Sequence, residues 1–252
     1  MRIKLFYNKS VNDNAAYYYE LAKEARAKLA GAEEAIKETE KEIEKASIVT
    51  KKEVRVKKQK EWFEKFHFSY AGPHLMIGGR NSKQNDIVVS KYFEANDLFF
   101  HADIQGGAAV ILKDGQAATE EEQHEAAQFT ASYSKAWINA NAAVDVYAVS
   151  KDQVSKHATG GFIPSGAFAI KGERKWFRGT KLALKIGILD DHVVLLPQIS
   201  KTELKEELLL LPSKYGKTKG VLAKSLAKRY SVHPDELLEL LPNGKSKTTS
   251  KN

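Results

Sequence analysis

Between Asn14 and Ala46, small and apolar residues return in alternating steps of four and three, at Tyr18, Ala22, Ala25, Leu29, Ala32, Ile36, Thr39 and Ile43. Such steps return to one side of an α-helix, so the pattern predicts a single long helix with a heptad seam. Glu and Lys fill the other faces, and Gly31 interrupts the pattern without changing its phase. A lone alanine-rich helix is marginal in water and needs a partner. The stretch "VTKKEVRVKKQKEWFEKF" at 49–66 supplies a returning arm, which makes residues 1–60 a coiled-coil helical hairpin.

After Phe66 the period shortens. "HFSYAGPHLMIGG" reads as a β-hairpin, "DLFFHADI" and "AAVILKDG" as two further strands, and "RNSKQNDIVVSKYF" as a turn feeding a helix. "TEEEQHEAAQFTASYSKAW" starts with a Thr N-cap and an acidic first turn, then places Ala126, Phe129, Tyr133 and Trp137 on one face. "AAVDVYAVSKDQVSK", "GAFAIKG", "KLALKIGILDD" and "HVVLLP" add strands. The expected fold class is therefore α+β, a mostly antiparallel sheet with packed helices over 61–200, preceded by the hairpin. Residues 201–252 read as a small basic helical tail, "GVLAKSLAKRY" and "HPDELLELL", with "PNGKSKTTSKN" as a disordered end.

Composition narrows the function. The apolar content of 42% fills a real core, and 40 Lys and Arg against 32 Asp and Glu leave a net charge of +8, which suits a polyanionic partner. The sharpest concentration lies at 51–60, where Lys51, Lys52, Arg55, Lys57 and Lys58 form a basic tip to the hairpin with Glu53 as the lone acid. The absence of cysteine excludes disulfides, thiol catalysis and cysteine-ligated zinc. No apolar run reaches membrane-spanning length, and residues 1–30 lack a signal-peptide core; the expected location is cytoplasmic, with no membrane partner.

Candidate chemistry is concentrated in three polar stretches. "IGGRNSKQND" lacks the G-x-x-x-x-G-K-[ST] and G-x-G-x-x-G spacings of nucleotide loops, which leaves Arg80, Lys83, Gln84 and Asn85 around a helix start, either as phosphate, sugar or base contacts or as parts of a turn and N-cap. In "FFHADIQGG", strand alternation puts Phe99, His101 and Asp103 on one face, where His101 and Asp103 form an incomplete base and orienter or a structural pair. Gln153, Ser155 and Lys156 in "DQVSK" suit recognition better than acid–base work. Trp62, Phe63 and Phe66 are stacking platforms or core, and Lys171, Arg174, Lys175 and Arg178 surround an expected turn. No cofactor is implied.

"WFEKF", "IGGRNSKQND", "HADIQGG", "YSKAW" and "DQVSK" followed by "GAFAIKG", in this order, resemble the NFACT-R domain of the NFACT family. Upstream, "NDNAAYYYELAKEARAKL" resembles the start of that family's coiled-coil middle region, so the likeness covers about residues 1–200. The family's N-terminal NFACT-N and helix-hairpin-helix regions have no counterpart, and the loop "HATGGFIPSG" departs from the usual proline and Gly-Glu pair. The resemblance implies a non-enzymatic RNA-binding module of a ribosome-associated quality-control factor, with tRNA, ribosomal RNA and the obstructed large ribosomal subunit as partners. It points to Arg80, Lys83, Gln84, Asn85, His101, Asp103, Gln153, Ser155 and Lys156 as RNA contacts, and the coiled coil offers a surface for self-association. The alternatives are a scaffold docking ribosomal proteins or a ligase, and a hydrolase centred on His101 and Asp103.

Overall fold

The computed structural model describes residues 4–8, 10–46, 61–156 and 163–250, in two compact units, Met1–Gln59 and Lys60–Asn252. Residues 49–60 of the expected returning arm, with the basic tip of the hairpin, lie outside the described residues, as do residues 157–162; the end of that arm, 61–66, forms turns rather than helix.

The first unit is built on α1 (Val11–Ala46). Its start is capped reciprocally: the Asp13 amide donates to Ser10 Oγ at 3.1 Å, and the Ser10 amide and hydroxyl donate to Asp13 Oδ2. Asn14 ties the preceding residues down, accepting from the Phe6 amide and donating to the Phe6 carbonyl. Leu29 and Ile36 of the heptad seam are 63% and 56% exposed.

The second unit opens with the hairpin β1 (His67–Ala71) and β2 (His74–Gly78), followed by α2 (Ser82–Tyr92), β3 (Leu98–Ala102) and β4 (Val110–Leu112). Next come α3 (Glu120–Ser132), α4 (Lys135–Ile138), β5 (Ala143–Val149), the short pair β6 (Val154–Ser155) and β7 (Ala169–Ile170), and β8 (Lys175–Lys181). A six-stranded antiparallel sheet runs β1-β2-β4-β3-β5-β8. The period of two sends Phe100, Ala102, Val110 and Leu112 to a core shared with Ala126 and Phe129 of α3, and Phe99, Ile111 and Val149 to a second core with Val88 of α2. Phe66 joins the second core, while Trp62 stacks on Tyr92 at 4.5 Å.

β9 (Leu184–Leu189), β10 (His192–Pro197), β11 (Lys205–Thr218) and β12 (Lys245–Ser250) form a second antiparallel sheet in the order β10-β9-β11-β12, with α5 (Lys219–Tyr230) and α6 (Pro234–Leu240) between its last two strands in sequence. The sheets share one core, and Ser69 Oγ donates to the Leu195 carbonyl at 3.2 Å across the joint.

Three sequence expectations are corrected. The helix read through to Trp137 divides at Ser134, whose hydroxyl accepts from the Ala136 amide and starts α4. The basic turn at 171–178 enters an edge strand, β8, paired with β5. The tail is more than helical, because β11 precedes its helices and the supposedly disordered end contributes β12, paired with β11 from Leu208↔Ser250 to Thr218↔Lys245. "KSKTTS" has no apolar alternation to betray a strand; backbone pairing holds it, together with Ser246, which is 3% exposed and accepts from Trp137 Nε1 at 3.0 Å.

Candidate nucleic-acid interface

The site begins where β2 hands over to α2. A Cβ on Gly79 would lie 2.5 Å from the Asn85 amide nitrogen, so only glycine lets the strand end pass so close to the helix. Asn81 caps α2 by accepting from the Gln84 amide at 3.0 Å, and the Gln84 side chain accepts from the Arg80 amide while donating to the Lys65 carbonyl. Asn85 is buried and clamps the glycine loop, accepting from the Ala109 amide at 3.1 Å and donating to the Gly107 carbonyl at 3.4 Å. Arg80 donates through Nη2 to the carbonyls of Glu64 and Phe66, at 3.1 and 3.0 Å, and lies 4.0 Å from Glu239. Its Nε is buried without a hydrogen-bond partner.

Two further loops converge on this helix start. Asp86 of α2 accepts from Ser165 Oγ at 2.6 Å and the Gly166 amide at 3.0 Å, and pairs with Lys156. Burial works against its charge, but Lys156, Ser165 and Gly166 prevail and hold the carboxyl below the usual carboxylate range. Gly166, at φ +80°, packs so tightly that a Cβ would stand 2.6 Å from Ser82 Cα. On the other side, Gly106, at φ +86°, admits the stem of Lys135.

Between these loops lies a cleft of about 540 Å³ whose walls include Arg80, Ser82, His101, Lys135, Ser165 and Asn243. Arg80 and Lys135 bring positive charge to its wall, and Lys219 stands behind it. Lys219, which donates to Asn243 Oδ1 at 3.1 Å, has its pKa lowered by burial and then by Arg80. The His67 ring, stacked on Tyr133 at 4.1 Å, is pushed well below the ordinary histidine value by burial, then by Arg80 and Lys219. Burial likewise lowers His101, with Arg174 adding to it and the Ala102 backbone and Asp103 opposing. Hydrogen-bond donors and cations around a neutral aromatic pocket suit a sugar-phosphate with an attached base.

The sequence-derived residues divide into groups. Arg80, Asn85 and His101 line the cleft. Lys83 is exposed on the first turn of α2, outside the cleft lining. Gln84 is engaged as described, and Gln153 closes its own turn, accepting from the Ser150 amide and donating to the carbonyls of Lys171 and Glu173 at 3.0 and 2.6 Å. Ser155 sits in β6, and Lys156 lies over the Phe168 ring at 4.2 Å. Asp103 is exposed beyond the end of β3, its amide donating to the Asp145 carbonyl at 2.7 Å. Among the described residues Asp103 acts on the His101 ring through its charge rather than a hydrogen bond, and no group of three His, Asp or Glu is placed to hold a metal. Gly106, Ser134, Lys135, Ser165 and Asn243 also line the cleft and were missed as contacts. "YSKAW" and "HADIQGG" flagged some of these segments, but Asn243 gave no local signal, since only the second sheet brings it there.

Residues 61–172 match the NFACT protein RNA binding domain. The archaeal Rqc2 homologue aRqcH of Methanocaldococcus jannaschii is 37% identical over 80% of this chain and 31% of that protein. The ribosome quality control complex subunit NEMF homologue of Drosophila melanogaster is 35% identical over 70% of this chain and 19% of its own length. Subunit NEMF of Homo sapiens is 32% identical over 70% and 17%. The chain thus spans less than a third of each of these relatives. By motif order and sequence likeness this chain belongs to the NFACT family, with a match to its RNA-binding domain at residues 61–172.

Proposed function

We propose that this chain is the RNA-holding part of a ribosome-associated quality-control factor, binding tRNA or ribosomal RNA on obstructed large ribosomal subunits in the cytoplasm, and that it acts by recognition rather than catalysis. The carrying observation is the convergence of the α2 start, the Gly106–Gly107 loop, the 134–135 turn and the 165–166 loop on one cleft whose wall carries Arg80 and Lys135. The relatives' names, all of ribosome quality control proteins or their homologues, support the cellular setting. Of the sequence-derived contacts, the exposed Lys83 would meet phosphates outside the cleft, while Arg80 and His101 would shape the pocket itself.

Salt titration is the test. Affinity for an RNA fragment of the large subunit, measured between about 50 and about 200 mM salt, is expected to fall steeply as counterions compete. Absent affinity at low salt, or a flat dependence, overturns the reading. A second reading, docking to a protein, is favoured by the exposed Leu29 and Ile36 of α1. It predicts that a Leu29→Glu, Ile36→Glu double variant loses subunit association while RNA affinity is unchanged.

A further inference from the structure

Three aromatic side chains stand side by side on adjacent strands of the six-stranded sheet. His101 of β3 is in register with Tyr147 of β5, and Tyr147 with Trp176 of β8, the edge strand. Their ring centroids are 5.9 and 5.5 Å apart. Guanidinium groups cover the row from outside: Arg174 lies 4.6 Å from the Tyr147 centroid and 5.7 Å from that of Trp176, and Arg178 lies 3.9 Å from Trp176. Arg178 is fixed there by Asp145, at 2.6 Å. Both arginines are exposed, and the row is continuous with the cleft, because His101 and Tyr147 also line it.

Lys175, Arg178 and Lys181 in β8 have an ordinary use, since charge on an edge strand discourages pairing with other chains. That explanation does not reach Arg174, which precedes the strand and turns back over Tyr147 and Trp176. A guanidinium held on a ring by cation–π attraction offers its other side to a second flat, electron-rich group and its N–H fork to an anion. The nucleobase and phosphate of a nucleotide supply both. A base inside a duplex has its faces occupied by its neighbours, whereas an unpaired base exposes them.

We propose that Arg174 and Arg178, held face-on by the half-buried to buried row His101, Tyr147 and Trp176, form a stacking track for unpaired nucleotides leading out of the cleft, so that the RNA this domain holds is single-stranded where it crosses the sheet. The inference rests on the RNA-binding reading and adds the class of RNA to it. The track tolerates any base, because each base has a face to stack.

The test uses the full chain and two fluorescein-labelled RNAs, a single strand of eight nucleotides and a blunt duplex containing the same sequence, followed by fluorescence anisotropy at one salt concentration. The single strand is expected to bind tighter. Arg174→Ala weakens it by about tenfold, within what one stacked base contributes, and leaves the duplex nearly unchanged. Arg174→Lys, which keeps the charge and loses the plane, recovers little of this, while Trp176→Phe retains most wild-type affinity and Trp176→Ala does not. Arg174 lies in an exposed turn, so its variants fold whatever the fate of Trp176→Ala. Equal wild-type affinity for both RNAs, or full recovery by Arg174→Lys, overturns the track and leaves RNA binding standing. No affinity for either RNA at low salt removes both.

Discussion

Arg80 shows how little a residue type says about the direction of its bonds. Its loop is polar, which suggests a free cation, yet Nη2 serves two carbonyls of the segment leading into β1. Hydrogen bonds from a charged donor contribute about 1.5–3 kcal/mol, so Arg80→Ala is expected to lower stability by about 2 kcal/mol in urea unfolding. Lys83→Ala, on an exposed turn, should stay within ~0.5 kcal/mol and act on RNA affinity alone. His67 carries the second residue-scale prediction. Its folded pKa is depressed, while the unfolded ring takes its proton near pH 6.5. As pH falls through that value the unfolded state binds a proton that the folded state refuses, so stability is lost on the acid side, and His101 acts in the same sense. The urea midpoint should therefore drop from about pH 7.5 to about pH 5.5, and His67→Phe, which keeps a ring against Tyr133, should flatten that slope. An unchanged slope would clear His67 of responsibility. The sequence located the polar loops of the site, but a donor bound to a carbonyl and a donor awaiting a phosphate have the same letter.

Elements were legible in proportion to their apolar periodicity and their caps. α3 was readable at its start, and the structure gives its mechanism: Thr119 Oγ1 accepts from the Glu122 amide at 3.3 Å, while Glu122 accepts from the Thr119 amide at 2.7 Å. Thr119→Ala is expected to cost about 1 kcal/mol, read from the shift of the urea midpoint. β3 was equally plain, because Phe99 and Phe100 divide between two buried faces. β8 and β12 were not, since one shows a mixed edge pattern and the other is polar throughout. α1 obeys its heptads but has Leu29 and Ile36 open to water, which predicts faster amide exchange along α1 than along the buried α3. Equal protection of the two helices would show that the seam is covered.

For the body as a whole, the late sequence matters more than its polarity suggests. Ending the chain at Leu241 would remove β12, expose the outer edge of β11 and leave Trp137 Nε1 without its acceptor. A loss of about 2 kcal/mol, or roughly 4–8 °C in melting temperature, is expected from differential scanning fluorimetry, where a disordered tail would give no change. No local pattern carried that information, because it resides in a contact across 109 positions.

The joint between the sheets has a thermodynamic consequence. Tyr133 donates to the Leu240 carbonyl at 2.6 Å and Trp137 to Ser246, while Tyr133, Ser134, Lys135 and Asn243 also face the cleft. On the RNA-binding reading, a nucleotide in the cleft would touch both sides of a latch. If its affinity depends on the latch being shut, linkage requires that its presence hold the latch shut by the same factor. Exchange of the β12 amides at 245–250 then becomes a gauge of occupancy, slowing as the cleft fills.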